Sequence, residues 1–201
     1  ASRGEVKVNP DRATIQISVQ TRSATAAAAA TPATNSQGDQ PASPTTYPAD
    51  YRIDAPIARE DVSTSLALTG VPHYRAKDDK LLFDVAVTNH GKVPLVSAGK
   101  APVRVGVTLA GPEGVDKSPG TRKFARAMLP LIAPGATAQV VVTVPVEPLL
   151  GLGVRAELVQ EGVAWWSRGF RQPVLDLGVF QRCSGAPDTL CDATGAPVGR
   201  L

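Results

Sequence analysis

Apolar and polar residues alternate with a period of two through much of the chain, the signature of strands with one face buried. Val6 and Val8 alternate with charged neighbours up to Asn9-Pro10-Asp11, where proline presets the φ of a turn. Ala13, Ile15, Ile17 and Val19 then alternate with Thr14, Gln16, Ser18 and Gln20, which predicts a strand pair within residues 1–30. Between Thr31 and Pro48 the apolar side chains are Ala33, Ala42 and Tyr47, set among four prolines. Such a stretch has nothing to bury, and residues 31–50 are expected to form a disordered linker.

Strand signals return beyond it. Phe83, Val85 and Val87 share a face up to the stop at Asn89-His90-Gly91. Val103, Val105, Val107 and Leu109 alternate up to Gly111-Pro112, and Ala138–Val144 follows the turn at Pro134-Gly135. Val154, Ala156 and Leu158 lead to Glu161-Gly162, and then to Val163-Ala164-Trp165-Trp166. Short strands at this spacing, with no helical period between them, predict an all-β fold built as an antiparallel sandwich over residues 51–172. Residues 173–201 are expected to be an irregular tail. Leu82, Val141 and Val159 fall on the opposite faces of their strands, which implies cover on both sides or a neighbouring domain.

Composition agrees with this pattern. Valine outnumbers leucine and isoleucine together, and branched β-carbons fit a pleated surface better than a helix. Eighteen glycines and eighteen prolines supply turns and leave little room for long helices. No apolar run reaches the roughly 18 residues of a membrane-spanning helix. Net charge is +3 and aromatic content 4%, which argues against a dedicated nucleic-acid binder. The basic residues cluster at Arg122, Lys123 and Arg126, either as a solvated loop or as a contact for an acidic polysaccharide or lipid head group.

Cys183 and Cys191 are eight positions apart with Gly185 and Pro187 between them. They read as a disulfide, worth roughly 2–3 kcal/mol in the chain-entropy model, and hence as a sign of a periplasmic or extracellular setting. Two free thiols in a cytosolic protein are the alternative. Two cysteines with no neighbouring histidine do not make a zinc site.

Motifs that carry chemistry are missing from the sequence. It has no Gly-x-Ser-x-Gly elbow, phosphate loop or dinucleotide fingerprint. His73 and His90 sit beside turns, and Asp78-Asp79 and Glu60-Asp61 are adjacent pairs of the kind normally solvated. No catalytic residue, cofactor or metal is therefore expected. Trp165 and Trp166 are the candidate contacts for a glycan. In a strand they point to opposite faces, so one enters the core and the other can stack on a sugar, or pack beneath the linker, the tail or a partner domain. Glu161 would pair with Arg155 or Arg168.

Two stretches resemble known families. Gly4-Glu5-Val6-Lys7-Val8-Asn9-Pro10-Asp11-Arg12-Ala13-Thr14-Ile15, followed by Val19-Gln20-Thr21 and Ala24–Ala28, resembles the opening of SIMPL-domain proteins, which are exported bacterial proteins linked to oxidative-stress defence. Residues 62–170 resemble the immunoglobulin-like β-sandwich modules found beside bacterial surface-polysaccharide glycosyltransferases and methyltransferases. That likeness rests on Val87-Thr88-Asn89-His90-Gly91, Pro102–Val107, Ala127–Gly135, Val142–Pro145 and Leu158–Trp166, with Trp166 where phenylalanine is usual. It implies a non-catalytic exported module that supports or binds cell-envelope polysaccharide machinery, its partner a carbohydrate or a fused or neighbouring glycosyltransferase. The alternatives are an accessory domain of a larger glycosyltransferase whose catalytic part lies elsewhere, and a SIMPL-type oxidative-stress protein.

Overall fold

The computed structural model describes residues 46–118 and 124–201. The expected strand pair in residues 1–30, the linker as far as residue 45, and the basic residues Arg122 and Lys123 lie outside the described residues. The strands are β1 (Thr64–Leu68), β2 (His73–Arg75), β3 (Lys80–Asn89), β4 (Val103–Ala110), β5 (Arg126–Met128), β6 (Thr137–Pro145), β7 (Gly153–Gln160) and β8 (Ala164–Trp165). A single short helix, α1 (Trp166–Phe170), follows β8 and leads to β9 (Leu175–Cys183), β10 (Ala186–Asp192) and β11 (Gly199–Arg200). The described chain is all-β apart from α1 and isolated 3-10 turns. No helix among the described residues is long and apolar enough to cross a membrane.

Two sheets result. In the first, β6 lies along the whole of β3 on one edge, while β1 and β2 divide the other edge between them. β11 extends this sheet by pairing parallel to β2; the other pairings are antiparallel. The second sheet runs β10-β9-β7-β4-β5, all antiparallel, with β8 beside the end of β7. Period-two alternation turns one face of each long strand inward. Leu81, Phe83, Val85 and Val87 of β3 and Val103, Val105, Val107 and Leu109 of β4 are all sealed from solvent. The inner faces of both sheets belong to one hydrophobic cluster. Phe83 of β3 and Phe180 of β9 meet edge to face within it, ring centroids 5.7 Å apart.

Buried amides tie the loops to this core without leaving polar atoms orphaned. Asn89 donates to the carbonyls of Val93 and Ile132 and accepts the Gly91 N–H. Gln160 donates to Ala55 and Ala101 and accepts from Ile57, holding the segment before β1 against the end of β7. Between the sheets, the Nη2 of Arg182 of β9 donates to both carboxylate oxygens of Asp79 in a shared contact (2.7 and 2.8 Å), and Tyr74 donates its hydroxyl to the same carboxylate. Asp79 thus ties the two sheets together while its carboxylate stays partly solvated.

Residues 173–201 are not an irregular tail. β9 and β10 complete the second sheet and β11 the first, so no boundary falls at residue 172. The reason lies in a bulge at Gly178, whose φ of +101° suits glycine and which accompanies a register shift between β7 and β9. Leu177 points into the core, and the extra residue delays the next inward side chain to Phe180. A strand whose phase slips in the middle shows no sustained alternation. The Cys183–Cys191 disulfide links β9 to β10.

The second-face residues divide three ways. Val159 is covered by the chain that follows it, Leu82 is half-buried, and Val141 is 54% exposed on β6.

Candidate functional site

The inward set of β4 leaves Arg104, Gly106 and Thr108 on the outer face of the second sheet. The strand register places Gly106 opposite Glu157 of β7 and Arg126 of β5, and places Val159 opposite both Arg104 and Trp165 of β8. Trp165 therefore projects over the same face, and Gly106 makes room for it. A Cβ at position 106 would lie 2.7 Å from the indole Cζ3 and 2.8 Å from Arg126 Nη1. A glycine inside an otherwise alternating valine strand marks such a close approach, and it is the one signal in the sequence that points to this seat.

Arg126 locks the ring. Its guanidinium carbon lies 4.3 Å from the Trp165 centroid, its Nε donates to Glu161 at 3.1 Å, and its Nη1 donates to the Phe124 carbonyl at 3.1 Å. A cation–π contact is worth about 0.5–1 kcal/mol when exposed and 2 or more when desolvated; this arginine side chain is only 11% exposed. Close by, Arg104 keeps a buried Nε with no hydrogen-bond partner among the described residues. The product is a half-buried indole held in one orientation on the sheet, with a concavity beside it lined by Val163, Ala164 and Glu161.

The expected split of the tryptophan pair is realised by a different device. The strand stops at Trp165 and the chain turns into α1, which carries Trp166 inward to 0% exposure. There Trp166 meets Phe170 edge to face, with centroids 5.8 Å apart. As a glycan contact Trp166 must be set aside, since it has no surface to offer. Arg126 is likewise not a free surface cation for an anion, because Glu161, Phe124 and Trp165 occupy it. Glu161 pairs with Arg126 rather than with Arg155 or Arg168. The two histidines are engaged in ordinary ways: His90 Nε2 hydrogen-bonds Ser65 Oγ at 2.9 Å, and His73 lies in β2 beside β11.

Arg168, from α1, pairs instead with Asp116 at 2.7 Å. Hydrogen bonds from Ser118, side chain and backbone, and then from Arg168 hold the Asp116 carboxyl down from 3.8 to about 2. For Asp79, burial alone would raise the pKa, but its bonds to Arg182 and Tyr74 outweigh that and leave it lowered. Both carboxyls bind protons less readily folded than unfolded. For Asp116 the contribution to stability is therefore complete above about pH 4 and is lost as pH falls through about 2, and Asp79 acts in the same direction. Thermal melts across that window are expected to show the decline, and Asp79→Asn combined with Asp116→Asn to make it shallower, with Asp78 and Asp192 supplying what remains. An unchanged slope in the double variant would refute the assignment.

No protein-family model matches the chain, and no curated protein does. Among solved structures it is similar to β-glucosidase 3B from Thermotoga neapolitana, in complexes with glycerol and with glucose, at 14% identity and a TM-score of 0.29. The alignment covers 58% of this chain and 16% of that enzyme, so the chain spans only a small part of the neighbour's length, and at this level the likeness carries no argument about fold or activity.

Proposed function

We propose that this chain is a non-catalytic, exported module of the immunoglobulin-like β-sandwich type that binds or supports bacterial cell-envelope polysaccharide machinery, with Trp165 as its glycan-contacting residue. The observation that carries the reading is the half-buried indole seated on Gly106 and braced by Arg126. A flat apolar ring fixed before binding offers a sugar face a contact at little ordering cost. Two sheets, antiparallel but for the β11–β2 pair, around one core agree with the sandwich resemblance. The disulfide suits an oxidising compartment.

A glycan array of acidic and neutral polysaccharide fragments tests it. The full chain is expected to bind a subset, and Trp165→Ala to lose that binding while still melting cooperatively, at a lower temperature that reflects the lost Arg126 contact. Silence across the array, or glycosyl transfer catalysed by this chain alone, would overturn the proposal.

A further inference from the structure

Along the same outer face, where β4 and β7 pass beneath α1, lies a cavity of about 240 Å³. Its polar lining is Thr108, Asp116, Arg155, Glu157, Ser167 and Arg168. Strand alternation explains how Glu157 comes to be there. Ala156 and Leu158 take the inner face of β7, so Glu157 points outward, and α1 then lies across it and leaves it 3% exposed. Its Oε2 accepts the Ser167 N–H at 3.0 Å, and this is its one hydrogen bond among the described residues. The ion pairs formed by the described residues do not include it. A buried carboxyl that makes one hydrogen bond and no ion pair has acceptor capacity left for a ligand in the cavity it lines.

We infer that this cavity is a subsite for one neutral, hydroxyl-rich sugar unit. A sugar hydroxyl both donates and accepts. The lining offers carboxylate acceptors on Glu157 and Asp116 and guanidinium donors on Arg155 and Arg168. Two negative and two positive side chains balance, so the site favours neither a free cation nor a phosphate. The volume falls below the roughly 300–1,000 Å³ of pockets that take drug-sized ligands, and so matches a single ring. Asp116 and Arg168 hold each other at the opening, while Glu157 sits deepest. The choice of ligand class rests on the glycan-binding reading above, but the residues are separate from the Trp165 seat.

The test is a titration of the full 201-residue chain, followed by amide chemical shifts, with methyl glycosides of neutral hexoses, a uronic acid and an amino sugar. A neutral glycoside is expected to shift the amides of Thr108, Ser167 and Arg168. Glu157→Gln, whose amide oxygen can still accept the Ser167 N–H, should weaken that response roughly tenfold or more, the loss of one hydrogen bond to a charged group. If Glu157→Gln does not fold, Thr108→Val removes a lining hydroxyl within an intact strand and should weaken it as well. Shifts confined to Gly106 and the Trp165 indole, indifferent to both variants, would overturn the subsite and leave the proposed function standing. A response to the amino sugar or the uronic acid alone would overturn the neutral ligand. No response to any saccharide would overturn both.

Discussion

Replacing Trp166 by alanine is expected to cost about 3–5 kcal/mol of folding stability, seen as a large drop in urea midpoint at an unchanged slope. Trp166 is among the largest side chains fully removed from solvent. It stands where β8 gives way to α1, so its ring anchors the elbow as well as filling the core. Its indole Nε1 has no hydrogen-bond partner among the described residues, so the loss comes from packing and not from a broken polar contact. Trp166→Phe should cost less, since an aromatic ring still meets Phe170. A fall below about 1 kcal/mol for the alanine variant would mean that the elbow is held by something else.

Phe180→Ala is expected to cost a similar amount, about 3–5 kcal/mol. Phe180 belongs to the C-terminal stretch, yet it is buried against Phe83 in the middle of the first sheet's central strand. Its carbonyl also accepts the Gly151 N–H. If β9 and β10 are integral to the second sheet, this substitution lowers one cooperative melt of the whole fold. A small effect, together with limited proteolysis that releases residues 173–201 and leaves the rest folded, would show the stretch to be an appendage.

The contrast between these strands and the earlier ones shows what local pattern can reveal. In β3 and β4 every second residue is a large aliphatic or aromatic side chain, and each such position is sealed in the core. Alternation suffices there because the register never slips. In β9 the bulge at Gly178 changes the spacing of buried residues, and Phe180 follows Leu177 by three positions. Helix α1 has five residues, too few for a helical period to emerge from its neighbours.

The site was legible in its aromatics and hidden in its partners. That one tryptophan turns in and the other out is what adjacency in a strand predicts, although the turn from β8 into α1 is what brings it about. Which ion pairs form does not: Arg126 and Glu161 are 35 positions apart, and only the pairing of β5, β4 and β7 brings them together. Glu157 was hidden for another reason. Alternation directs it outward toward solvent, and the later turn of the chain into α1 is what buries it.

Trp165, on the outer sheet face, is the tryptophan expected to meet ligand, and Trp166, in the core, is not. Two single-tryptophan proteins, Trp165→Phe and Trp166→Phe, separate the indoles in a fluorescence titration with whichever saccharide the array selects. The prediction is a saturable change from the protein that retains Trp165 and none from the one that retains Trp166. A change carried by the Trp166 protein, or no change from either, would contradict the assignment of the outer sheet face as the binding surface.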